Sequence, residues 1–241
     1  MNEVINQLNA RKSVRVFMDR EICETEKAAI LMAAAQAPTA GNQQLYTILD
    51  ITDQAIKNRL VETCDHQPMV AQAKMVLIFC ADCKKWYDAY LSVGCTPRKP
   101  GVGDLLLATG DAMIAAQNAV TAAESLGIGS CYIGDIMENY EEQVTLLNLP
   151  TYVMPVGMLI FGYPTQQQMD RPKPERVDMK FIVHENGYQT MDDAQLEEMW
   201  ALRAGEKGYS AWMQAFCSRK YNSDFSREMT RSVEKYLEQF K

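Results

Sequence analysis

Residues 104–126 constrain the fold of this chain more than any other segment, because they are apolar on more than one face of a helix. A surface helix needs only one apolar stripe, so this pattern predicts a helix buried in the centre of the protein. Gly127 follows directly, as expected just beyond a helix C-terminus. Polar residues interrupt the run and exclude a membrane-spanning helix, which needs about 20 apolar residues. They are Asp111, Gln117, Asn118 and Glu124.

Helical and strand-like patterns alternate on both sides of this segment, which indicates a mixed fold with helices and a sheet. Periodicity predicts helices at residues 4–8, 25–35, 55–63 and 141–147, and strands at residues 46–51, 75–79, 131–133 and 156–161. Thr25 is the expected N-cap of the second helix, which must stop near Pro38 because proline cannot continue it. A chain of 241 residues that is 47% hydrophobic can build one substantial core.

The composition changes after the last predicted strand. Pro164, Pro172, Pro174 and the glutamines at 166–168 mark a linker. Residues 192–241 form a charged, helical pattern that we expect to wrap over the core or over a partner subunit. We therefore predict a core at residues 1–185 and a helical extension of the same domain at residues 186–241.

Charge and cysteine content limit the partners and the compartment. The formal net charge is -7, with 24 Lys and Arg against 31 Asp and Glu, which argues against nucleic acid and against an anionic membrane surface. The N-terminal residues lack the apolar run of a signal peptide. Seven cysteines, an odd number, do not resemble a disulfide framework, so we expect reduced thiols in a cytoplasm. Cys80 and Cys83 match C-x-x-C, but a structural role is favoured over a redox or metal role.

Several common catalytic motifs are missing from the sequence. It contains no G-x-S-x-G, no P-loop lysine motif and no H-E-x-x-H, and its only histidines are His66 and His184. Both are interpreted as loop or surface residues. Because side-chain acid and base groups are few, a bound cofactor is expected to supply the reactive chemistry.

A glycine-rich segment, residues 127–134, superficially resembles a dinucleotide-binding loop. Such a loop must follow a strand and open a helix, whereas here a helix precedes the glycines and a strand follows them. We therefore exclude a Rossmann site. The segment is either a structural turn or a place where the backbone approaches a ligand.

A basic segment at residues 11–17 is the strongest local indication of a ligand. In an extended chain Arg11, Ser13 and Arg15 would point one way, while Val14 and Val16 would face the core. Two guanidinium groups and a hydroxyl on one side suit a phosphate monoester. The alternative is a solvated basic run, which this segment by itself does not exclude.

Three segments carry a resemblance to a known family. Residues 11–17 read R-K-S-V-R-V-F, residues 37–43 read A-P-T-A-G-N-Q, and residues 126–134 read L-G-I-G-S-C-Y-I-G. They resemble, in the same order, the R-x-S-x-R-x-F, A-P-S-x-x-N-x-Q and L-G-L-G-x-x-x-I-G segments of the nitroreductase family. The resemblance covers roughly residues 2–185. It implies an α+β nitroreductase-like fold with a central, mainly antiparallel sheet flanked by helices, a C-terminal helical arm, and a homodimer with FMN at the subunit interface.

The resemblance also implies which residues bind the cofactor. The FMN phosphate and ribityl chain would be held by Arg11, Lys12, Ser13 and Arg15, with Lys173 and Arg176 also reaching the phosphate and Arg231 as an addition. The flavin would be lined by Pro38, Thr39, Ala40, Asn42, Gln67, Tyr132, Ile133, Gly134 and Asp135. Thr39 and Ala40 depart from the commoner Ser-Ser, and Asp135 replaces a frequent glycine. By the alternation argument, Lys12 would point away from its basic neighbours.

The activity implied is hydride transfer from NADPH or NADH to the flavin N5, followed by reduction of a nitroaromatic, quinone or flavin-type acceptor in a ping-pong cycle. No protein residue need act as a nucleophile. Two alternatives stay open at this point. The same fold could reduce another acceptor, by reductive dehalogenation or alkene reduction, or the chain could be a non-catalytic FMN-binding or storage protein.

Overall fold

The computed structural model describes residues 2–241, which form two compact units. The first runs to Pro172 and includes Glu228–Lys241, and the second is Lys173–Arg227. The described strands are β1 (Tyr46–Asp50), β2 (Met75–Asp82), β3 (Gly129–Ile133) and β4 (Val153–Gly162). The described helices are α1 (Glu3–Ala10), α2 (Glu24–Ala35), α3 (Gln54–Thr63), α4 (Met69–Gln72), α5 (Lys84–Ser92), α6 (Val102–Ser125), α7 (Tyr140–Leu146), α8 (Gln166–Asp170), α9 (Asp193–Ala204), α10 (Tyr209–Lys220) and α11 (Asp224–Glu238).

The sheet of the first unit is antiparallel throughout its described pairs. Its order is β1-β2-β4-β3, with Leu77 of β2 opposite Leu159 of β4. Every residue of β2 and β4 is buried, which explains their continuous apolar sequences. β4 begins earlier than predicted and includes Pro155, where the register with β2 shifts between Phe79 and Cys80. A bulge accommodates proline because the ring removes a ladder donor.

Helix α6 is the central helix that the sequence predicts. Its buried face is built largely from alanines, whose short side chains let the helix pack closely on the sheet and on α2. Other apolar residues of α6 are exposed, including Leu106, Leu107 and Ile114. The prediction of a buried helix is therefore confirmed for the alanine face and wrong for the face that carries these three residues. Gly127, with φ of 73°, ends the helix in the left-handed conformation expected after a C-terminus.

The basic segment at residues 11–17 is extended and lies against the ends of β3 and β4. The Val14 amide donates to the Ser130 carbonyl at 2.9 Å, and the Met18 amide donates to the Tyr163 carbonyl at 2.8 Å. Close approach requires glycine on the strands, because a Cβ added at Gly129 would lie 2.5 Å from Val14.

Two sequence predictions near this segment are wrong in detail. Val14 is buried as expected, but Val16 is 45% exposed, because the segment meets the sheet only at isolated bridges rather than as a full strand. The N-cap of α2 is Cys23 rather than Thr25. The Cys23 amide donates to Glu26 Oε2 at 2.9 Å, which completes a capping box. The first helical residue is therefore Glu24, directly after Cys23.

The described helices include none that combines the length and hydrophobicity needed to cross a bilayer.

The residues at 228–241 return to the first unit, where Tyr236 is fully buried and its ring meets that of Tyr140 edge-on at 4.6 Å. Arg231, which the resemblance added to the phosphate ligands, forms ion pairs with Glu141 and Glu228. Its guanidinium group thus fastens α11 to α7.

Glu138 is a buried acidic residue between β3 and α7. Its side chain is 5% exposed, and Oε1 has no hydrogen-bond partner among the described residues. Burial raises the pKa of Glu138 to about 8, and the negative charges of Asp135, Asp65 and Glu228 add to the increase. The neutral, protonated form of Glu138 is therefore the form that the fold favours.

We expect Glu138→Gln to stabilise the protein at alkaline pH. The folded-state pKa lies above the unfolded value, so the favourable contribution of the bound proton is present at low pH and is lost as pH rises through about 8. At alkaline pH the variant should unfold at a higher urea concentration than the wild type, and its free energy of unfolding should be larger by about 2–5 kcal/mol. The difference should shrink towards acidic pH. The exposed Glu206→Gln serves as the control. A difference that is the same at every pH would contradict the assignment.

Candidate functional site

Arg11 begins the candidate phosphate site immediately after α1. Its amide donates to the Gln7 carbonyl at 2.8 Å, which closes the helix and starts the extended segment. The Arg11 Nη1 atom is buried and has no partner among the described residues. Burial raises the pKa of the Tyr132 phenol to about 12, and the positive charge of Arg11 partly opposes this increase. Arg11 and Tyr132, predicted from separate motifs, thus lie in one electrostatic environment.

Lys12 and Arg171 hold the basic segment against the end of α8. The Lys12 ammonium donates to the Met169 carbonyl at 2.6 Å and to the Arg171 carbonyl. In return, the Arg171 guanidinium donates to the Ser13 carbonyl, while its Nε atom is buried with no partner among the described residues. Sequence reasoning missed Arg171. Its position directly before Pro172 and Lys173, in a basic stretch, was the available signal.

Ser13 and Arg15 complete this strip. Ser13 pairs with Ser130 in a parallel bridge, and the Ser130 hydroxyl is buried without a partner among the described residues. The Arg15 amide donates to Gln168 Oε1 at 3.1 Å, and the residue is exposed. The strip therefore presents one exposed and one half-buried arginine along an extended backbone.

The loop at residues 38–42 is shaped by Asp111 of α6. The Ala40 amide donates to Asp111 Oδ1 at 2.9 Å, and the Leu45 amide donates to Oδ2 at 3.2 Å. Gly41 and Asn42 adopt positive φ values between these two bonds, and the Thr39 hydroxyl accepts from the Gln44 amide at 3.1 Å. Pro38 and Asn42 are exposed, whereas Thr39 and Ala40 are half-buried. The buried Asp111 carboxylate thus fixes the backbone of the predicted flavin loop.

The remaining predicted ring contacts occupy two turns of the first unit. Gln67 is half-buried after the left-handed Asp65 and His66, and its Nε2 donates to the Cys64 carbonyl at 3.0 Å. This hydrogen bond holds the Gln67 side-chain amide in place. At the end of β3, Ile133 is buried, Tyr132 and Asp135 are half-buried, and Gly134 is exposed.

Lys173 and Arg176 belong to the second compact unit, and their role at the phosphate stays a prediction.

The histidines are loop residues, as expected: His66 is exposed, and His184 Nδ1 accepts from the Gln189 amide at 3.0 Å. Burial raises the pKa of the Cys80 and Cys83 thiols to about 12, which disfavours the thiolate that redox or metal chemistry needs.

The unpartnered polar atoms of the basic segment fit a phosphate group. Buried donors without partners are rare in proteins, because each costs about 1–3 kcal/mol unless something satisfies it. Here Arg11 Nη1, Arg171 Nε and the Ser130 hydroxyl are all of this kind, and all three residues adjoin or contact residues 11–13. A phosphate has the charge and the acceptor oxygens that such donors need, as the phosphate monoester of FMN does.

The sequence of this chain is similar to the sequences of known proteins. The family model described as "Nitroreductase family" matches residues 8–163. The chain is 34% identical over 220 residues to an oxygen-insensitive NADPH nitroreductase of Salmonella typhimurium, covering 88% of each chain. It is 29% identical over 245 residues to an FMN reductase [NAD(P)H] of Bacillus subtilis, covering 99% of this chain and 92% of the relative.

Solved structures with the same fold include NfrA2 of B. megaterium, which is 30% identical with a TM-score of 0.81 over 98% of both chains. NfrA1 of B. megaterium is 28% identical with a TM-score of 0.84, again over 98% of both chains. The predicted nitroreductase-like fold is therefore confirmed. With the family model spanning the sheet, the central helix and the basic segment, this chain belongs to the nitroreductase family.

Proposed function

We propose that this protein is an FMN-dependent oxidoreductase that uses NADPH or NADH to reduce nitroaromatic, quinone or flavin-type acceptors. The observation that carries the proposal is the set of buried, unpartnered donors beside residues 11–13, which matches a phosphate ester. Family membership, together with relatives named as NADPH nitroreductase and FMN reductase, supports the same cofactor and reductant.

The proposed binding roles follow the family motifs. Bound FMN supplies a ring that accepts a hydride from the nicotinamide and passes it to the acceptor. Its phosphate and ribityl chain would be held by Arg11, Lys12, Ser13, Arg15, Lys173 and Arg176, to which we add Arg171. The ring would be lined by Pro38, Thr39, Ala40, Asn42, Gln67, Tyr132, Ile133, Gly134 and Asp135. Because the Lys12 ammonium already donates to two carbonyls, we assign it mainly to positioning the segment.

The protein contributes position and a fixed polar environment rather than a reacting side chain. The Asp111 carboxylate holds the flavin loop through two backbone amides, so the loop does not have to reorganise when a ligand arrives. Donor and acceptor would use the same face of the ring in turn. This arrangement leads to a ping-pong cycle, with the oxidised nicotinamide leaving before the acceptor enters.

We further propose a homodimer with FMN at the subunit interface. Within Lys173–Arg227, all of which is described, Ala204 is the one buried residue. Leu202 is 77% exposed there, and α6 of the first unit exposes Leu106 and Leu107. Apolar surface of this extent is typical of chains that bury it against a partner.

The free thiols of Cys23, Cys95 and Cys217 are exposed, which favours a reducing, cytoplasmic location.

Steady-state kinetics test the proposed reaction. With an NADPH or NADH donor and a quinone or nitroaromatic acceptor, double-reciprocal plots at several acceptor concentrations should give parallel lines. Intersecting lines would contradict the one-site cycle. Reduction confined to halogenated or alkene acceptors would favour those reactions instead, and FMN that stays oxidised with every donor would indicate a storage protein.

Affinity for FMN against riboflavin tests the phosphate site. Arg11→Ala and Arg171→Ala should each weaken FMN binding roughly ten- to a hundredfold, because a charge-assisted bond to phosphate contributes about 1.5–3 kcal/mol. Riboflavin lacks the phosphate, so its affinity should change little. We expect smaller losses for the exposed Arg15→Ala and for Lys12→Ala. Equal losses for FMN and riboflavin would mean that the arginines support the fold rather than the phosphate.

Light scattering tests the dimer directly. The FMN-bound protein should have twice the chain mass of 27.2 kDa across the micromolar range. Leu106→Glu places a charge on the exposed apolar face of α6, so it should shift the mass towards the monomer and release FMN in parallel. A monomer that retains stoichiometric FMN would refute both the dimer and the interfacial site.

A further inference from the structure

Two turns that carry predicted flavin contacts meet beside Glu138 in the first compact unit. The 134–137 turn follows β3, and the Glu138 amide closes it by donating to the Asp135 carbonyl at 3.0 Å. The 63–67 turn follows α3 and carries Gln67. The family motifs assign Gln67 and Asp135 to the flavin ring, so Glu138 lies next to the proposed ring site without belonging to it.

Asn139, directly after Glu138, joins the two turns. Its side-chain Nδ2 donates to the Thr63 carbonyl at 2.9 Å, and its amide donates to Glu228 Oε1 at 3.1 Å. Gln143 of α7 adds a bond from its Nε2 to Thr63 Oγ1 at 3.0 Å. The spacing between the turns is therefore set by hydrogen bonds at the position of Glu138.

The Glu138 carboxyl lies among other acidic groups. Its buried Oε1 has no hydrogen-bond partner among the described residues. The charges that act on it are all negative and come from three places, Asp135 on its own turn, Asp65 on the other turn and Glu228 on α11. The Cys64 thiol stays neutral, because burial raises its pKa to about 12. Strand β4, which packs on the 134–137 turn, carries no titratable side chain.

The basic residues of the adjoining helices are engaged elsewhere. Arg231 of α11 pairs with Glu228 and with a glutamate of α7. On α3, Arg59 pairs with two other carboxylates, and the Lys57 ammonium donates to the Ala73 carbonyl at 3.3 Å. An ionised Glu138 would therefore add a negative charge to the junction and gain no cation in return.

A flavin ring packed against these turns would remove water from the junction. Water screens the repulsion between Glu138 and the neighbouring carboxylates, so its removal makes the ionised form still less favourable. The pKa of Glu138, which burial raises to about 8, should therefore rise further when FMN binds. A group that binds its proton more tightly in the complex makes the complex weaker once that proton is lost.

We propose that Glu138 is a positioning residue whose protonated carboxyl keeps the two turns together, so that FMN binds with uptake of a proton and is held less tightly as pH rises. This inference rests on the proposed function and adds the control of cofactor binding by pH. The protonated form is fully present at acidic pH, where FMN binding is strongest. The charge that forms at alkaline pH drives the turns apart.

Equilibrium dialysis of the holoprotein over a range of pH values tests the proposal. A Glu138 pKa about one unit higher in the FMN complex predicts about a fivefold fall in FMN affinity from about pH 7 to about pH 9. Riboflavin should show the same fall, which separates the effect from ionisation of the FMN phosphate. Glu138→Gln mimics the protonated carboxyl, so its affinity should stay constant over this range.

Proton uptake gives a second readout that a merely structural role would not move. Calorimetry of FMN binding at about pH 8.5, in two buffers with different ionisation heats, should show uptake of about half a proton per FMN, and none in Glu138→Gln. Asp65→Asn removes a neighbouring charge at a φ of 56°, which asparagine tolerates, so the affinity loss should move to lower pH. The matched control is the exposed Glu206→Gln, which should behave as the wild type.

Each outcome decides the proposal. Wild-type affinity that does not change with pH would overturn it, as would an equal fall in Glu138→Gln. If Glu138→Gln does not fold, Asp65→Asn gives the answer, because an unmoved pH midpoint would contradict the role of Glu138. Failure of the proposed function would overturn both proposals and would look different, since the wild type would then bind neither FMN nor riboflavin at any pH.

Discussion

The candidate site depends on one buried carboxylate, that of Asp111 on the central helix. A buried charge is costly unless hydrogen bonds satisfy it, and here backbone amides on either side of the 41–44 turn donate to its two oxygens. The bond from Leu45 also fixes the approach to β1. One side chain therefore joins the central helix, the predicted flavin loop and the edge of the sheet, so the position of the loop is determined by the packing of α6.

The parts of the fold that were predictable from sequence are those with a strong local pattern. The apolar runs of β2 and β4 and the many-sided apolar pattern of α6 each identify an element without knowledge of its neighbours. The errors arose where a distant contact decides the outcome. Val16 is exposed because residues 11–17 touch the sheet at isolated bridges only, and β4 passes through Pro155 because a bulge in its pairing with β2 tolerates the ring.

The candidate site also has parts that were predictable from local sequence and parts that were not. Sequence motifs predicted the basic segment, a flavin loop at residues 38–42 and the glycine turn, since each is a short run of sequence. They could not identify Arg171, whose contact with Ser13 is made to a backbone carbonyl and leaves no side-chain signature. Nor could they show that the Lys12 ammonium donates to the carbonyls of Met169 and Arg171. Side chains that hold backbone in place become visible only in three dimensions.

The long-range contacts of the basic segment also have a consequence for the order of folding. Lys12 and Met169 are 157 residues apart in sequence, so their contact closes almost the whole first unit into a single loop. Loops of that length close slowly and late. During synthesis, residues 11–15 must wait until α8 has left the ribosome before their partners exist. The newly made chain therefore cannot complete the proposed phosphate-binding strip until most of the protein has been translated, and a chain interrupted before that point would lack it.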